Sequence, residues 1–130
     1  MFKFNFLFLN NVSSKEEVNM LVSRQIEKDY GIPTTAVLKK IQAREALGSV
    51  QVSKNFDLPH IEYDGKNQGV FLTNYFLQKN LYSSLFLIVN PQEINKELEK
   101  FLKNILNETG LESLRRCKNL NEFKKIIEGV

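Results

Sequence analysis

The chain has 130 residues, 42% of them hydrophobic and 25% charged, which suits one soluble globular domain and argues against disorder or two domains. The net charge of +3 is evenly spread: residues 1–60 carry eight basic and six acidic groups, and residues 61–130 carry ten and nine. That evenness argues against a nucleic-acid binder, one cysteine excludes an internal disulfide framework or cysteine-cluster metal site, and one histidine excludes a multi-histidine metal site.

The longest apolar runs, 6–9 and 85–89, fall far short of the ~20 residues that span a bilayer. The N-terminus lacks the apolar region and small-residue cleavage site of a signal peptide. A cytoplasmic protein without direct membrane insertion is expected.

The first segment alternates Phe2, Phe4, Phe6 and Phe8 on one face with Leu7 and Leu9 on the other, which predicts a strand ended by Asn10-Asn11. Ser13 with Glu16, or Ser14 with Glu17, then forms a capping-box pair. Val18, Leu21, Val22 and Ile26 recur at helical spacing, and Gly31 with Pro33 stops the helix. A second helix follows from Thr34 or Thr35 to about Leu47, with Arg44 near its C-terminal end.

From Gly48 the pattern turns to strands. Val50 and Val52 flank Gln51 in a short one, Leu58–Tyr63 is extended, and Asp64-Gly65 makes a turn. Val70 to about Phe76 is rich in strand formers, and Leu85–Val89 reads as a strand buried on both faces. Asn90 then caps a helix with Pro91 at its first position and Ile94, Leu98, Phe101, Leu102 and Ile105 as its apolar stripe, closed by Gly110. A short helix spans Leu111–Cys117, and Asn119 with Glu122 opens a last one to Gly129. The order β-αα-βββ-ααα predicts a single three-layer α/β/α domain over residues 1–130, built on a mixed sheet.

The six glycines stand singly, so no phosphate-cradling loop is present, and no nucleophile-elbow sequence occurs. The informative stretch runs from Arg44-Glu45 to Pro59-His60, with His60 sixteen residues after Arg44. It resembles the active-site signature of the fructose/mannitol-type IIA components of the bacterial phosphoenolpyruvate-dependent sugar phosphotransferase system. In that family an Arg-Glu pair ends a helix and a Pro-His pair follows. The order of elements resembles the family's fold too, so the likeness covers nearly the whole chain.

The resemblance implies a phosphoryl transferase that works through a phosphohistidine. His60 would accept the phosphoryl group from the histidine-containing phosphocarrier protein and pass it to a cysteine of a IIB component, which phosphorylates the incoming sugar. Arg44 would stabilise the transferring group. No cofactor or metal is implied, and self-association is left open. The physics suits these roles: neutral imidazole is nucleophilic near pH 7, and a guanidinium can clamp phosphoryl oxygens through two bonds at once.

The chain departs from the family pattern at Ser53, Asn55, Asp57 and Ile61, and it lacks the second histidine that many members carry near the long helix. Retention of Arg44 and His60 favours the carrier, whereas Asp57 and the missing second histidine favour an alternative, a regulatory or degenerate IIA-like domain that controls a partner such as a transcription regulator. Asp57 is read as a solvated strand-end carboxylate, with a hydrogen bond to the imidazole as the other option. Cys117 is a structural thiol, and the Phe-rich N-terminus is core or interface. Lys39-Lys40 and Arg115-Arg116 are assigned to solvated helix faces, and Tyr63, Tyr75 and Tyr82 to a partner surface.

Overall fold

Four phenylalanines spaced two apart set the first element. In the computed structural model, which describes residues 2–129, they lie along β1 (Lys3–Val12) and at its entry. Phe2 packs on Phe101 at 5.6 Å between ring centroids, and Phe4 meets Phe123 edge-on at 6.2 Å. Asn10-Asn11 do not end this strand; after a bulge, Val12 is buried and pairs with Leu77, which carries β1 three residues past Leu9.

Two helices follow, α1 (Lys15–Tyr30) and α2 (Thr34–Ala46). Ser14 is the cap of α1: its Oγ accepts from the Glu17 N–H, and Glu17 Oε1 accepts from the Ser13 N–H. Gly31, at φ +74°, ends the helix by donating its N–H to Glu27 O. Pro33 cannot cap α2, and Glu27 takes over by accepting the Thr34 N–H at 2.6 Å. That bond pulls the Glu27 carboxyl below its ordinary range.

The strand block holds five strands rather than three: β2 (Gln51–Ser53), β3 (Phe56–Asp57), β4 (His60–Glu62), β5 (Gly69–Leu77) and β6 (Asn80–Val89). The sheet runs β1-β5-β6-β3-β2, and β4 pairs β6 further along the same edge. β1 is parallel to β5, β5 and β6 form an antiparallel hairpin, and β3 and β4 both run parallel to β6, so the sheet is mixed. α3 (Lys96–Ile105), α4 (Glu108–Arg115) and α5 (Leu120–Gly129) complete the order.

Alternation along the central strands sends Leu72, Leu85 and Leu87 toward α3–α5, and Phe71, Phe86 and Ile88 toward α1 and α2. The three-layer α/β/α arrangement follows. Asn90-Pro91 does not start α3. Asn90 Oδ1 accepts from the Gln92 N–H and closes only a turn, while Asn95 Oδ1 caps the helix by accepting from the Leu98 N–H. Buried Gln68 holds the intervening loop, donating to Glu93 O and accepting from the Asn95 N–H. Ile94 is therefore off the apolar stripe and 44% exposed. Gly110 does not stop α3 either: it lies inside α4, where a Cβ would collide with Ile105 O.

Buried Asn74 fastens the hairpin to α4. Its Nδ2 donates to Leu114 O and Cys117 O at 2.9 Å each, and its Oδ1 accepts from Ser83 Oγ at 2.6 Å. Asn74→Ala strands these groups away from water. The loss is expected to be about 1–3 kcal/mol, read as a lower urea midpoint at unchanged slope. An unchanged midpoint would show that the clamp is not a stabilising element.

Candidate active site

His60 owes its position to a strand that breaks in two. Phe56 and Asp57 pair with Ser83 and Ser84 of β6, and His60–Glu62 resume the pairing at Leu87–Val89. Between them stand buried Leu58 and Pro59. Pro59 has no N–H to offer a ladder, but its carbonyl accepts the Leu87 N–H at 2.8 Å, so the chain stays on β6 through the break. Beyond it, Ile61 enters the core under α1 and α2.

His60 and Glu62 form one wall of a cavity of about 380 Å³, and Lys40, Ala43, Arg44 and Leu47 of α2 and its end form the other. Residues four apart on a helix share a face, which brings Lys40 and Arg44 to the same side as His60. Lys40 Nζ donates to Glu62 O at 2.7 Å, tying α2 to β4. Arg44 sits in the last turn of α2, where a cation is favoured by the helix dipole. Gly48, at φ +140°, then turns the chain away toward β2.

The imidazole is half-buried. Burial and the Arg44 cation hold its pKa below the ordinary 6.5, with Glu62 pulling weakly the other way. The ring is thus neutral near pH 7, a free nitrogen lone pair beside a guanidinium. Two cations against one carboxylate leave the lining positive, an environment that receives an anionic group.

The structure brings Arg44 and His60 together and separates them from their sequence neighbours. Glu45 is exposed and borders a different surface depression, with Gly48–Gln51 and Asp57. Asp57 is only partly exposed and is held by neither expected partner: its Oδ2 pairs with Lys15 Nζ at 3.3 Å, not with the imidazole. The same ammonium donates to Ser84 Oγ at 2.8 Å and lies 5.4 Å and 5.5 Å from the Tyr75 and Phe86 ring centroids.

Several other assignments change. Lys39 is exposed as expected, but Lys40 lines the cavity, and α2's four-residue spacing from Arg44 was the signal that could have found it. Arg115 is not on a solvated face: it donates to Ser53 Oγ and Lys54 O and lies 5.4 Å from the Phe56 ring, buttressing the β2–β3 hairpin. Tyr75 is 3% exposed and stacks on Tyr82 at 5.6 Å, so it belongs to the core and not to a partner surface. Cys117 is buried against the α3–α5 layer, and burial pushes its thiol up to about 11, which suits a structural role. Among the described residues, no group of three or more His, Cys, Asp or Glu side chains is placed to hold a metal ion. None of their helices is long and apolar enough to cross a membrane.

The fold has solved relatives. The mannitol IIA of Escherichia coli superposes with a TM-score of 0.64 at 18% identity, covering 95% of each chain. Nitrogen regulatory protein IIA-Ntr from Neisseria meningitidis gives 0.64 and 18%, covering 95% of this chain and 92% of its own. Enzyme IIAMtl of Escherichia coli, solved in complex with phosphorylated enzyme IIBMtl, gives 0.66 and 16%, covering 98% of this chain and all of its own. No curated protein matches by sequence. The profile of the family described as phosphoenolpyruvate-dependent sugar phosphotransferase system, EIIA 2, matches residues 1–130. With that match over its whole length, and with a fold shared with solved IIA proteins, the chain belongs to the EIIA 2 family of the sugar phosphotransferase system.

Proposed function

We propose that this chain is a phosphocarrier: His60 accepts a phosphoryl group from the histidine-containing phosphocarrier protein and passes it to a cysteine of a IIB component for sugar uptake. One observation carries the reading, the neutral imidazole of His60 sharing a positive cavity with the Arg44 guanidinium. Family membership and the likeness to a IIA protein solved with its phosphorylated IIB support it. Such a carrier works in the cytoplasm.

The chemistry balances without a cofactor. The free ring nitrogen of His60 attacks phosphorus as the N–P bond to the donor histidine breaks. The donor ring leaves neutral, and each ring keeps the proton on its other nitrogen. In the second step a cysteine thiolate attacks, an S–P bond forms, and His60 departs as neutral imidazole. Charge develops on the phosphoryl oxygens in both steps, and Arg44 stabilises it through its planar fork.

A second reading, a regulatory IIA domain, draws on the likeness to nitrogen regulatory protein IIA-Ntr, which equals the likeness to mannitol IIA. Delivery of phosphoryl to a IIB cysteine separates the two. A protein that accepts phosphoryl on His60 but never delivers it would favour regulation.

Incubation with phosphoenolpyruvate, enzyme I and the phosphocarrier protein is expected to label His60 with an acid-labile, base-stable phosphate. Equal label on His60→Ala would rule out the site, since His60 is the chain's one histidine. Arg44→Ala is expected to slow transfer on the order of a hundredfold while thermal unfolding barely moves, with Arg44→Lys recovering part of the rate. Unimpaired transfer in Arg44→Ala would remove Arg44 from the mechanism.

The rate of acceptance should fall as acid protonates the ring, with a midpoint below the ordinary 6.5, because burial and Arg44 disfavour the charged form. Arg44→Ala should move that midpoint up, and Glu62→Gln should move it down. The unfolded chain binds the His60 proton more readily than the folded one. Stability from this group is therefore complete above about pH 6.5 and declines as pH falls toward the folded-state value. A ring titration by NMR with a midpoint above 6.5 would overturn the electrostatic assignment.

A further inference from the structure

The cavity holds a second cation for which the two transfer steps above have no use. Lys40 lines the same wall as Arg44, one helical turn earlier, and faces His60 across the cavity. The residue is partly buried, and its Nζ reaches back to donate to Glu62 O at 2.7 Å in an exposed bond. Ordering a lysine in this way costs rotamer entropy that a lysine on a solvated face does not lose. Like charges four residues apart on a helix also disfavour each other. Both costs are borne beside the one histidine of the chain. The lining offers only the Glu62 carboxylate against Lys40 and Arg44.

We infer that Lys40 is a second phosphoryl-binding residue, which takes the oxygen that Arg44 leaves free while His60 carries the group. The inference rests on the reading of His60 as phosphoryl acceptor. An ammonium has three N–H donors, and the Glu62 carbonyl occupies one. That bond holds the amine at the β4 wall of the cavity that His60 also lines, with two donors left. As the N–P bond to His60 forms and the donor's N–P bond breaks, charge spreads over three phosphoryl oxygens. Arg44's fork suits two of them and the point charge of Lys40 suits the third. Glu62 opposes any anion in the cavity. Its charge is outweighed by the two cations together and only balanced by Arg44 alone, so Lys40 is what makes the lining attractive to a phosphoryl group.

The experiment uses phosphoramidate, which phosphorylates histidine directly and needs no partner protein, with phospho-His60 followed by ³¹P NMR. Lys40→Met, which keeps the apolar stem, is expected to lower the rate of labelling about tenfold, with the thermal unfolding midpoint close to wild type. Lys40→Arg should restore most of the rate. Labelling of Lys40→Met at the wild-type rate would overturn the inference, and so would a Lys40→Arg variant as slow as Lys40→Met, because charge would then not be the cause. A wild type that phosphoramidate leaves unlabelled would overturn it as well. The same variants assayed with the phosphocarrier protein keep the two readings apart. Labelling by phosphoramidate without transfer from the phosphocarrier removes the carrier role and leaves the Lys40 comparison standing.

Discussion

Everything at the site depends on one broken strand held to β6. Residues 56–62 follow β6 in two pieces, and the break falls at Pro59, the residue that cannot donate to a ladder. Had the strand run on unbroken, His60 would be one more edge residue in a regular alternation. The break lets β4 restart under α2, with Ile61 anchored in the core and His60 set against Arg44. β6 can serve as the template because it is held on its other side by the long hairpin with β5 and is buried on both faces over its second half. A rigid strand thus positions the candidate side chain at a sheet edge.

Charge is divided between two neighbouring places. Asp57 lies three residues from His60, where a free carboxylate would repel the phosphoryl group of the proposed reaction. Lys15 neutralises it, and Ser84 and the faces of Tyr75 and Phe86 hold that ammonium in turn. A cation in the first turn of α1 works against the helix dipole, and the pairing offsets that cost. The cavity beside His60 is left with the opposite balance, two cations and one carboxylate. Burial and Arg44 then disfavour the charged imidazole, the form that could not act as the nucleophile of the proposed transfer.

Much of the fold was legible because burial and capping leave strong periodic marks. The Phe alternation of β1, the Ser14–Glu17 and Asn119–Glu122 caps, and the Gly31 stop all appear where their chemistry places them. The misplaced boundaries have physical causes. Gln78 and Lys79 take positive φ in the two-residue turn between β5 and β6 without the Asn-Gly that advertises such a turn, so the hairpin is longer than its sequence suggests. Asn90-Pro91 has the form of a helix start, but Gln68, distant in sequence, holds that loop and moves the start to Asn95.

The sequence by itself determined the layer order and most of each long element's apolar face, because periodicity is a local property of a chain, and its resemblance to a known signature made Arg44 and His60 candidates. Which charges meet is not local. Lys40 and Arg115 belong to runs that read as solvated, and only packing turned one toward the cavity and the other onto the β2–β3 hairpin. Asp57 found its partner 42 residues away. Helix spacing places Lys40 and Arg44 on one face; the tertiary structure decided that this face looks at His60.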